Sequence, residues 1–397
     1  MALVDFSAPT GEFNADPYPT YSELRAAGPV HRIKGADGRP LWLVVGYEEA
    51  RQALGHPLLC KNPSVYGDFD KALLGATSTN MLESDPPHHT RLRKLVSREF
   101  TPRRVEALRP RVQEVTDRLL DAMEAGPGRS CDLIPALALP VPMTVICELL
   151  GVPGLDRDRF HDWSSQIVSA PIGSLEQLGP VLEAMTTYLI GLLADKTEEP
   201  GDDLLSALIR TRDEDGDSLS SDELVGMAYL LLVAGHETTV NLISNGVRAL
   251  LAHPEQLADL RADFDGLLDG AIEEMLRYDG PVENATIRFA AEDLVLGGVA
   301  IEAGASVVVS LASGDRDGER FPRPDTFDIR RATQGHLAFG HGIHFCLGAP
   351  LARMEARIAI RSLLERFPDL AAEPAAGPPQ WIEGTLIRGV AQLPVRW

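Results

Sequence analysis

The sequence predicts a mainly α-helical fold with a minor β portion. From Arg91 to about Leu250, apolar residues recur every three and four positions, which is the spacing of amphipathic helices. Strand-like segments lie on both sides of this region, at residues 41–46 (LWLVVG), 294–301 (LVLGGVAI) and 307–309 (VVV). The two adjacent glycines inside the second segment are typical of a tight hairpin turn. Helices therefore account for most of the predicted structure.

Proline and glycine are spread along the whole chain and are not gathered into a linker. A chain of 397 residues is long enough for two or three domains. However, the sequence contains no internal repeat, low-complexity block or clear boundary. We therefore expect a single domain covering residues 1–397.

The sequence gives no sign of a secreted or membrane protein. Its first residues turn polar at once and lack the basic start and apolar centre of a signal peptide. The longest uninterrupted apolar run, Met227 to Gly235, is too short to span a bilayer. The four cysteines form no Cys-x-x-Cys pair and no Cys-His zinc spacing. We expect a cytoplasmic protein that has no membrane association, in a reducing compartment.

The charge is strongly acidic but unevenly distributed. A net charge of −21 argues against nucleic acid and anionic membrane surfaces as partners. Between Arg91 and Arg111, however, eight Arg or Lys residues stand against only Glu99 and Glu106. Such a cluster usually marks a solvated helix face. It could also attract an acidic partner.

Cys346 has the most informative surroundings in the chain. Residues 339–348 read FGHGIHFCLG, with a glycine four positions before the cysteine and another two positions after it. Apolar residues at helical spacing follow, so the cysteine lies where a glycine-bounded loop enters a helix. Free N–H groups at a helix N-terminus stabilise a thiolate. An isolated cysteine is more often a small buried side chain, but a thiolate beside a glycine-rich backbone suits ligation of a flat haem.

The segment fits the pattern Phe-x-x-Gly-x-His-x-Cys-x-Gly and so resembles the haem-binding loop of the cytochrome P450 family, in its soluble bacterial class. The resemblance implies the cytochrome P450 fold over the whole chain. It also implies haem b as cofactor, with Cys346 as the metal ligand. Phe339 and Gly348 would belong to the cofactor-binding loop.

A second motif, AGHETT at residues 234–239, lies near the middle of a predicted helix from about Ser221 to Leu251. A glycine inside a helix costs about 1 kcal/mol relative to alanine, so it usually has a local reason. The neighbouring threonines can bond back to carbonyls one turn earlier. In the P450 family the helix opens here into a groove for dioxygen. By that resemblance Thr238 hydrogen-bonds the bound dioxygen and Glu237 helps to relay protons.

Two further groups of residues fit the family. Glu274 and Arg277 are three apart on one predicted helix face. In P450s such a pair belongs to a buried network whose third member is an arginine. Thr326 stands at that position here, and Arg320 or Arg330 could substitute.

The second group would neutralise the two haem carboxylates. His89 and Arg93 are four apart at a predicted helix start, so they face the same way. Together with Arg288 and His344 they match the propionate-binding positions of the family. The guanidinium fork of arginine suits carboxylate recognition.

The segments expected to line the substrate pocket are mostly apolar or small, which predicts a large lipophilic substrate. By family position they are Ser64–Leu82, Trp163–Leu182, Leu231–Ala234, Val282–Thr286 and Thr385–Ile387. Glycines in the first of them favour a mobile lid. Residues 80–87 and 233–243 resemble macrolide hydroxylases of polyketide antibiotic pathways. Glu83 or Asp68 could then contact a cationic amino sugar.

The resemblance implies a haem-thiolate monooxygenase that hydroxylates or epoxidises a macrolide or other polyketide in bacterial secondary metabolism. Steroid or terpenoid hydroxylation is the alternative within the same mechanism. A peroxide-driven haem enzyme would not need Glu237 and Thr238, and a non-catalytic haem sensor would have no use for them. Ferredoxin with ferredoxin reductase is the implied electron source, and the basic segment from Arg91 to Arg111 would attract that acidic partner. We expect a monomer.

Overall fold

Helices make up most of the molecule, as the spacing of apolar residues predicts. The computed structural model describes residues 4–5, 11–35, 39–62, 75–168, 175–212, 216–374 and 377–397. The helices are α1 (Gly11–Ala15), α2 (Tyr18–Ala27), α3 (Tyr47–Gly55), α4 (His88–Glu99), α5 (Pro102–Ala107), α6 (Arg109–Glu124), α7 (Pro140–Leu150), α8 (Arg157–Val168), α9 (Leu175–Glu198), α10 (Leu204–Arg210), α11 (Ser221–Ala252), α12 (Pro254–Ala262), α13 (Phe264–Asp279), α14 (Leu311–Asp315) and α15 (Ala349–Arg366). Within these described ranges, none of the helices combines the length and apolar character needed to cross a membrane.

The strands form a small part of the fold. They are β1 (Val4–Asp5), β2 (Val30–Lys34), β3 (Pro40–Val44), β4 (Leu59–Cys60), β5 (Ser130–Asp132), β6 (Arg288–Ala290), β7 (Leu294–Leu296), β8 (Val299–Ile301), β9 (Ser306–Val309), β10 (Ala371–Ala372) and β11 (Pro394–Arg396). A six-stranded sheet has the order β1-β2-β3-β9-β6-β4, and β10-β11-β5 form a second sheet. The β7–β8 hairpin turns at Gly297 and Gly298, whose φ angles of +56° and +78° suit the predicted tight turn. The mainly α fold with a minor β portion is confirmed.

The long helix α11 passes through the centre of the helical part. Its 32 residues pack against α7, α9, α13 and α15. The largest apolar cluster joins side chains of α6, α7, α11, α13 and α15. Gly235 has the local reason that its position demands, because a Cβ there would lie 2.8 Å from two side-chain atoms of Ile146 on α7. This close approach explains why a glycine stands here, and it requires no break in the helix.

The start of α11 is held by a capping box and by a neighbouring helix. The Ser220 hydroxyl accepts from the backbone N–H of Glu223, and the Glu223 carboxylate accepts from the backbone N–H of Ser220 at 2.7 Å. Arg91 on α4 donates to the same carboxylate at 2.6 Å and also pairs with Asp217. The N-terminus of α11 is therefore tied to α4.

The network around Glu274 and Arg277 is buried, as the family resemblance implies, but its third member is Arg331. Arg277 donates to both Glu274 oxygens at 2.7 and 2.8 Å, and neither side chain is exposed. Arg331 reaches the same carboxylate at 3.2 Å. The expectation that Arg320 or Arg330 fills this position is wrong. Arg330 points outward and pairs with Asp259, whereas Arg320 donates to the carbonyl of Gln334.

The physical reason lies in the turn that precedes the two adjacent arginines. The backbone N–H of Asp328 donates to Glu274 at 2.9 Å, which sets this turn directly over the carboxylate. Neighbouring side chains then point to opposite sides, so that Arg331 is 8% exposed and Arg330 is 57% exposed. Thr326, at the position where the family has its arginine, still takes part in the network, because its backbone carbonyl accepts from Arg277 and Arg331.

Candidate active site

Cys346 lies in a tight loop immediately before α15. Its backbone N–H donates to the carbonyl of Phe339 at 2.9 Å, which closes the loop. Gly340 and Gly342 both have φ of +74°, a conformation that favours glycine. The backbone N–H groups of Gly348 and Ala349, at the helix start, point to the sulfur and lower the pKa of the Cys346 thiol. The predicted position of the cysteine at a helix N-terminus is thus what the structure shows.

Burial is the largest influence on this thiol and raises its pKa, while the backbone N–H groups, Arg93 and Arg353 oppose that shift. Cys346 is nevertheless accessible to solvent. Both observations fit a side chain that faces an internal space enclosed by protein. Metal binding to a thiol releases its proton, and the backbone N–H groups and arginines beside the sulfur favour the thiolate that results.

The aromatic residues of the loop complete its surface. Phe339 packs against Phe345 with 6.3 Å between the ring centres, and the Arg353 guanidinium lies 4.4 Å from the Phe339 ring centre. Ile343 and Phe345 are among the few large apolar side chains that are exposed, at 47% and 42%. An apolar surface of this kind beside the cysteine suits contact with a flat, largely apolar cofactor.

The four residues predicted to bind carboxylates converge beside this loop. The rings of His89 and His344 lie 4.5 Å apart between centres. Arg93 donates to the carbonyl of Phe345, next to the cysteine, at 2.7 Å. Burial lowers the pKa of His89, Arg93 and Arg288, and it lowers the pKa of His344 to about 3, where Arg288 and His89 also contribute.

These basic groups fit the carboxylates of haem b. Both ring nitrogens of His89, Nε2 of His344 and Nε of Arg288 are buried and have no hydrogen-bond partner among the described residues. A buried donor without a partner costs about 1–3 kcal/mol, so such a cluster strongly favours an anionic ligand. The cysteine sulfur matches the iron of haem b. The apolar loop matches its ring, and the basic cluster matches its propionates.

Lys61 belongs to the same basic cluster and was not found from the sequence. It is 2% exposed, and its ammonium donates to Thr286 Oγ1 and to the carbonyl of Ile287 at 2.8 Å. Burial lowers the pKa of Lys61 to about 8, with Arg288 acting in the same direction. A single lysine after a short strand carries no motif, so no sequence signal marks it.

Thr238 and Glu237 lie on α11, which packs against the helix that follows the cysteine. The Thr238 hydroxyl donates to the carbonyl of Ala234 at 3.0 Å, which is the predicted back-bond. Helical structure continues through residues 234–239, so the expected opening of the helix does not occur here. Glu237 is 6% exposed, its Oε2 has no hydrogen-bond partner among the described residues, and burial raises the pKa of its carboxyl.

Two of the segments predicted to line the substrate pocket are brought together. Val282 and Ile387 form an antiparallel bridge, and the Asn284 side chain donates to the Thr385 carbonyl at 2.6 Å. Residues 64–74 of the predicted lid, with Asp68, lie outside the described residues, as do residues 169–174. The first two of the predicted pocket segments are therefore described only in part.

Comparison with known proteins agrees with this geometry. The cytochrome P450 family model matches residues 14–193 and 193–387. The cytochrome P450 monooxygenase PikC of Streptomyces venezuelae is 56% identical over 395 residues, covering 100% of this chain and 94% of that protein. The 6-deoxyerythronolide B hydroxylase of Saccharopolyspora erythraea is 46% identical over 97% of this chain and 96% of that protein.

A solved structure shows the same fold. The tirandamycin C-bound P450 monooxygenase TamI has a TM-score of 0.88 and 44% identity, with 99% of each chain covered. The matches extend over the helical part, the sheets and the cysteine loop alike. The chain belongs to the cytochrome P450 family and is a monooxygenase with haem b as its cofactor.

Proposed function

We propose that this monooxygenase hydroxylates or epoxidises a macrolide or a related polyketide. The observation that carries the proposal is the 46% identity over 97% of the chain to a hydroxylase of 6-deoxyerythronolide B, which is a macrolide. The tirandamycin C-bound structure, of the same fold, supports a bulky natural product as ligand. The mostly apolar segments expected to line the pocket agree with such a substrate.

Each proposed site residue has a separate task. Haem b supplies, when bound, the iron centre at which dioxygen is activated. Cys346 holds that centre, with Phe339 and Gly348 in its loop, while His89, Arg93, Arg288 and His344 bind the propionates. On the opposite side, Glu237 can hold a proton at Oε2 because burial raises its pKa. The Thr238 hydroxyl would turn from the Ala234 carbonyl to pass that proton towards the reacting oxygen.

A spectral-shift titration tests the substrate class most directly. The haem-loaded enzyme is titrated with macrolides and with steroids of similar hydrophobicity, and the Soret band is recorded. We expect macrolides to shift the band at lower concentrations than steroids. The reverse order would favour the steroid or terpenoid alternative. Formation of the reduced carbon monoxide complex, in wild type and Cys346→Ser, tests the thiolate separately.

Glu83 is the described acidic residue that we propose for contact with an amino sugar. Its side chain is half-buried. Burial raises the pKa of Tyr229 on α11, and the Glu83 charge adds to that shift. It therefore acts on the same helix that carries Glu237 and Thr238. Burial lowers the pKa of Lys61, and the Glu83 charge opposes that shift. Lys61 therefore competes with the amino sugar for the Glu83 carboxylate.

The test replaces Glu83 with glutamine. We expect Glu83→Gln to weaken binding of a macrolide that carries a basic amino sugar about 10-fold, since a charge-assisted hydrogen bond contributes about 1.5–3 kcal/mol. Binding of the corresponding macrolide without the sugar should stay the same. Equal loss for both ligands would show that Glu83 only shapes the loop, and no loss would exclude its contact with the sugar.

We further propose that electrons come from a ferredoxin with its reductase, and that the enzyme works as a cytoplasmic monomer. Four of the eight basic residues in the 91–111 segment are neutralised by carboxylates, namely Arg91, Arg104, Arg109 and Arg111. Arg103 remains exposed on α5, which packs against the helix following the cysteine. The docking surface is therefore smaller than the sequence count suggests.

A further inference from the structure

Three potential metal ligands meet between α8 and α11. His236 and Glu237 are on α11, His161 is on α8, and one ligand atom of each lies within 4.8 Å of the others. His236 and Glu237 are 1% and 6% exposed, whereas His161 is half-buried. The cluster therefore has two buried members and one member that is half-buried.

His236 is already oriented as a metal ligand would be. Its Nδ1 lies 2.9 Å from the carbonyl of Leu232, which can only accept, so Nδ1 carries the proton and Nε2 carries the lone pair. A backbone carbonyl on one ring nitrogen is the usual way in which proteins orient metal-binding histidines.

The hydroxyl of Ser164 is the present neighbour of that lone pair. It lies 2.9 Å from His236 Nε2 and 3.1 Å from the carbonyl of His161. Because a hydroxyl rotates freely, it can donate to the carbonyl and release the nitrogen. The lone pair is thus available without movement of the backbone.

Glu237 supplies a buried oxygen that has no present partner among the described residues. This atom, Oε2, lies 3.7 Å from His236 Nε2. Two ligands of a tetrahedral zinc ion lie about 3.4 Å apart, given bonds of about 2.0–2.2 Å. The buried pair is therefore close to the required spacing. The half-buried His161 would complete the site by a movement of its side chain.

We propose that His161, His236 and Glu237 bind a transition-metal ion of the zinc class, and that the bound ion inhibits the enzyme. Two imidazoles and one carboxylate favour Zn²⁺ over Mg²⁺ or Ca²⁺, which prefer oxygen ligands. The bound ion occupies Glu237 Oε2, so this carboxylate no longer holds a proton. Inhibition rests on the proposed role of Glu237 in proton delivery, whereas metal binding does not.

Isothermal titration calorimetry tests the binding itself. The haem-loaded enzyme, freed of metals with a chelator, is titrated with ZnCl₂ and, separately, with MgCl₂. We expect binding of zinc but not of magnesium, and at least 10-fold weaker zinc binding by His161→Ala. The matched control is His88→Ala, which removes an exposed histidine on α4 and should leave the zinc affinity unchanged. Equal zinc affinity in wild type and His161→Ala would overturn the site.

Turnover separates the two parts of the inference. We expect zinc to lower product formation per dioxygen consumed in wild type, and higher zinc concentrations to be needed in His161→Ala. If binding depends on His161 but turnover does not respond to zinc, the metal site stands. The inhibition, and with it the role of Glu237 in proton delivery, is then overturned.

Discussion

In the proposed mechanism, oxygen activation depends most directly on the hydroxyl group of Thr238. We expect Thr238→Ala to lower the product formed per dioxygen consumed about 10-fold, because the general acid–base group is lost. Haem content should not change. The matched control is Thr197→Ala on α9, which removes the same kind of hydroxyl-to-carbonyl bond, at 2.7 Å. Full coupling in Thr238→Ala would show that proton delivery does not depend on this hydroxyl.

Glu355 makes the stability of the protein depend on pH. It is 1% exposed on α15, and burial raises its pKa from 4.5 to about 8, although the Thr239 hydroxyl opposes the shift. Between these two pH values the folded state keeps a proton that the unfolded state releases. This contribution to stability is therefore complete at low pH and is lost as the pH rises through the folded pKa.

The variant Glu355→Gln should remove this dependence. In the wild type, the free energy of unfolding should fall between pH 4.5 and about pH 8. In Glu355→Gln we expect this fall to be smaller by about 1–4 kcal/mol, as measured by denaturant titration at both pH values. Glu365→Gln, at an exposed position of the same helix, is the control and should leave that difference unchanged. An unchanged difference in Glu355→Gln would mean that the buried carboxyl is ionised in the folded state.

At the scale of elements, the turn before Arg331 connects α13 to the loop that leads to the cysteine. Replacing Arg331 by methionine should cost about 3 kcal/mol, because a buried ion pair loses one partner. Arg330→Met removes a neighbouring, exposed pair and should cost less than about 1 kcal/mol. Thermal or denaturant unfolding of the haem-loaded enzyme measures both. Similar costs would show that the network tolerates exchange of its third arginine.

The sequence predicts those elements whose signal is local. The helical spacing locates α11 to within a residue or two, the glycine pair marks the β7–β8 turn, and the cysteine loop is recognisable from five fixed positions. Contacts between distant segments are not encoded in this way. Lys61 reaches residue 286, and His161 reaches His236, only because the fold brings separate elements together. Arg331 was missed since a turn, and not a periodic element, decides its direction.

At the scale of the whole molecule, a net charge of −21 opposes the approach of an acidic ferredoxin. Docking of the proposed partner would therefore depend on a small basic area. We expect Arg103→Glu to slow reduction of the enzyme by ferredoxin several-fold at low salt, with a smaller difference at high salt because charges are screened. Arg32→Glu, on β2 and 53% exposed, is the control. Equal rates for both variants would place the docking surface elsewhere.

The assignment of residues 1–397 to one domain stays a prediction. The apolar cluster around α11 draws on helices α6, α7, α12, α13 and α15 and on the C-terminal strand β11, which favours a single cooperative unit. Unfolding transitions followed by haem absorbance and by far-ultraviolet circular dichroism should then coincide.

Helix α4 has a consequence for the haem-loaded enzyme that follows from its two faces. His89 and Arg93 contact His344 and Phe345 of the cysteine loop, while Arg91 is bonded to Glu223 and Asp217 at the start of α11. If the haem propionates order α4, they also order the first turn of α11. We therefore expect cofactor binding to make the start of α11 more rigid through α4. Amide hydrogen exchange in the first turn of α11 should accordingly slow when haem is loaded.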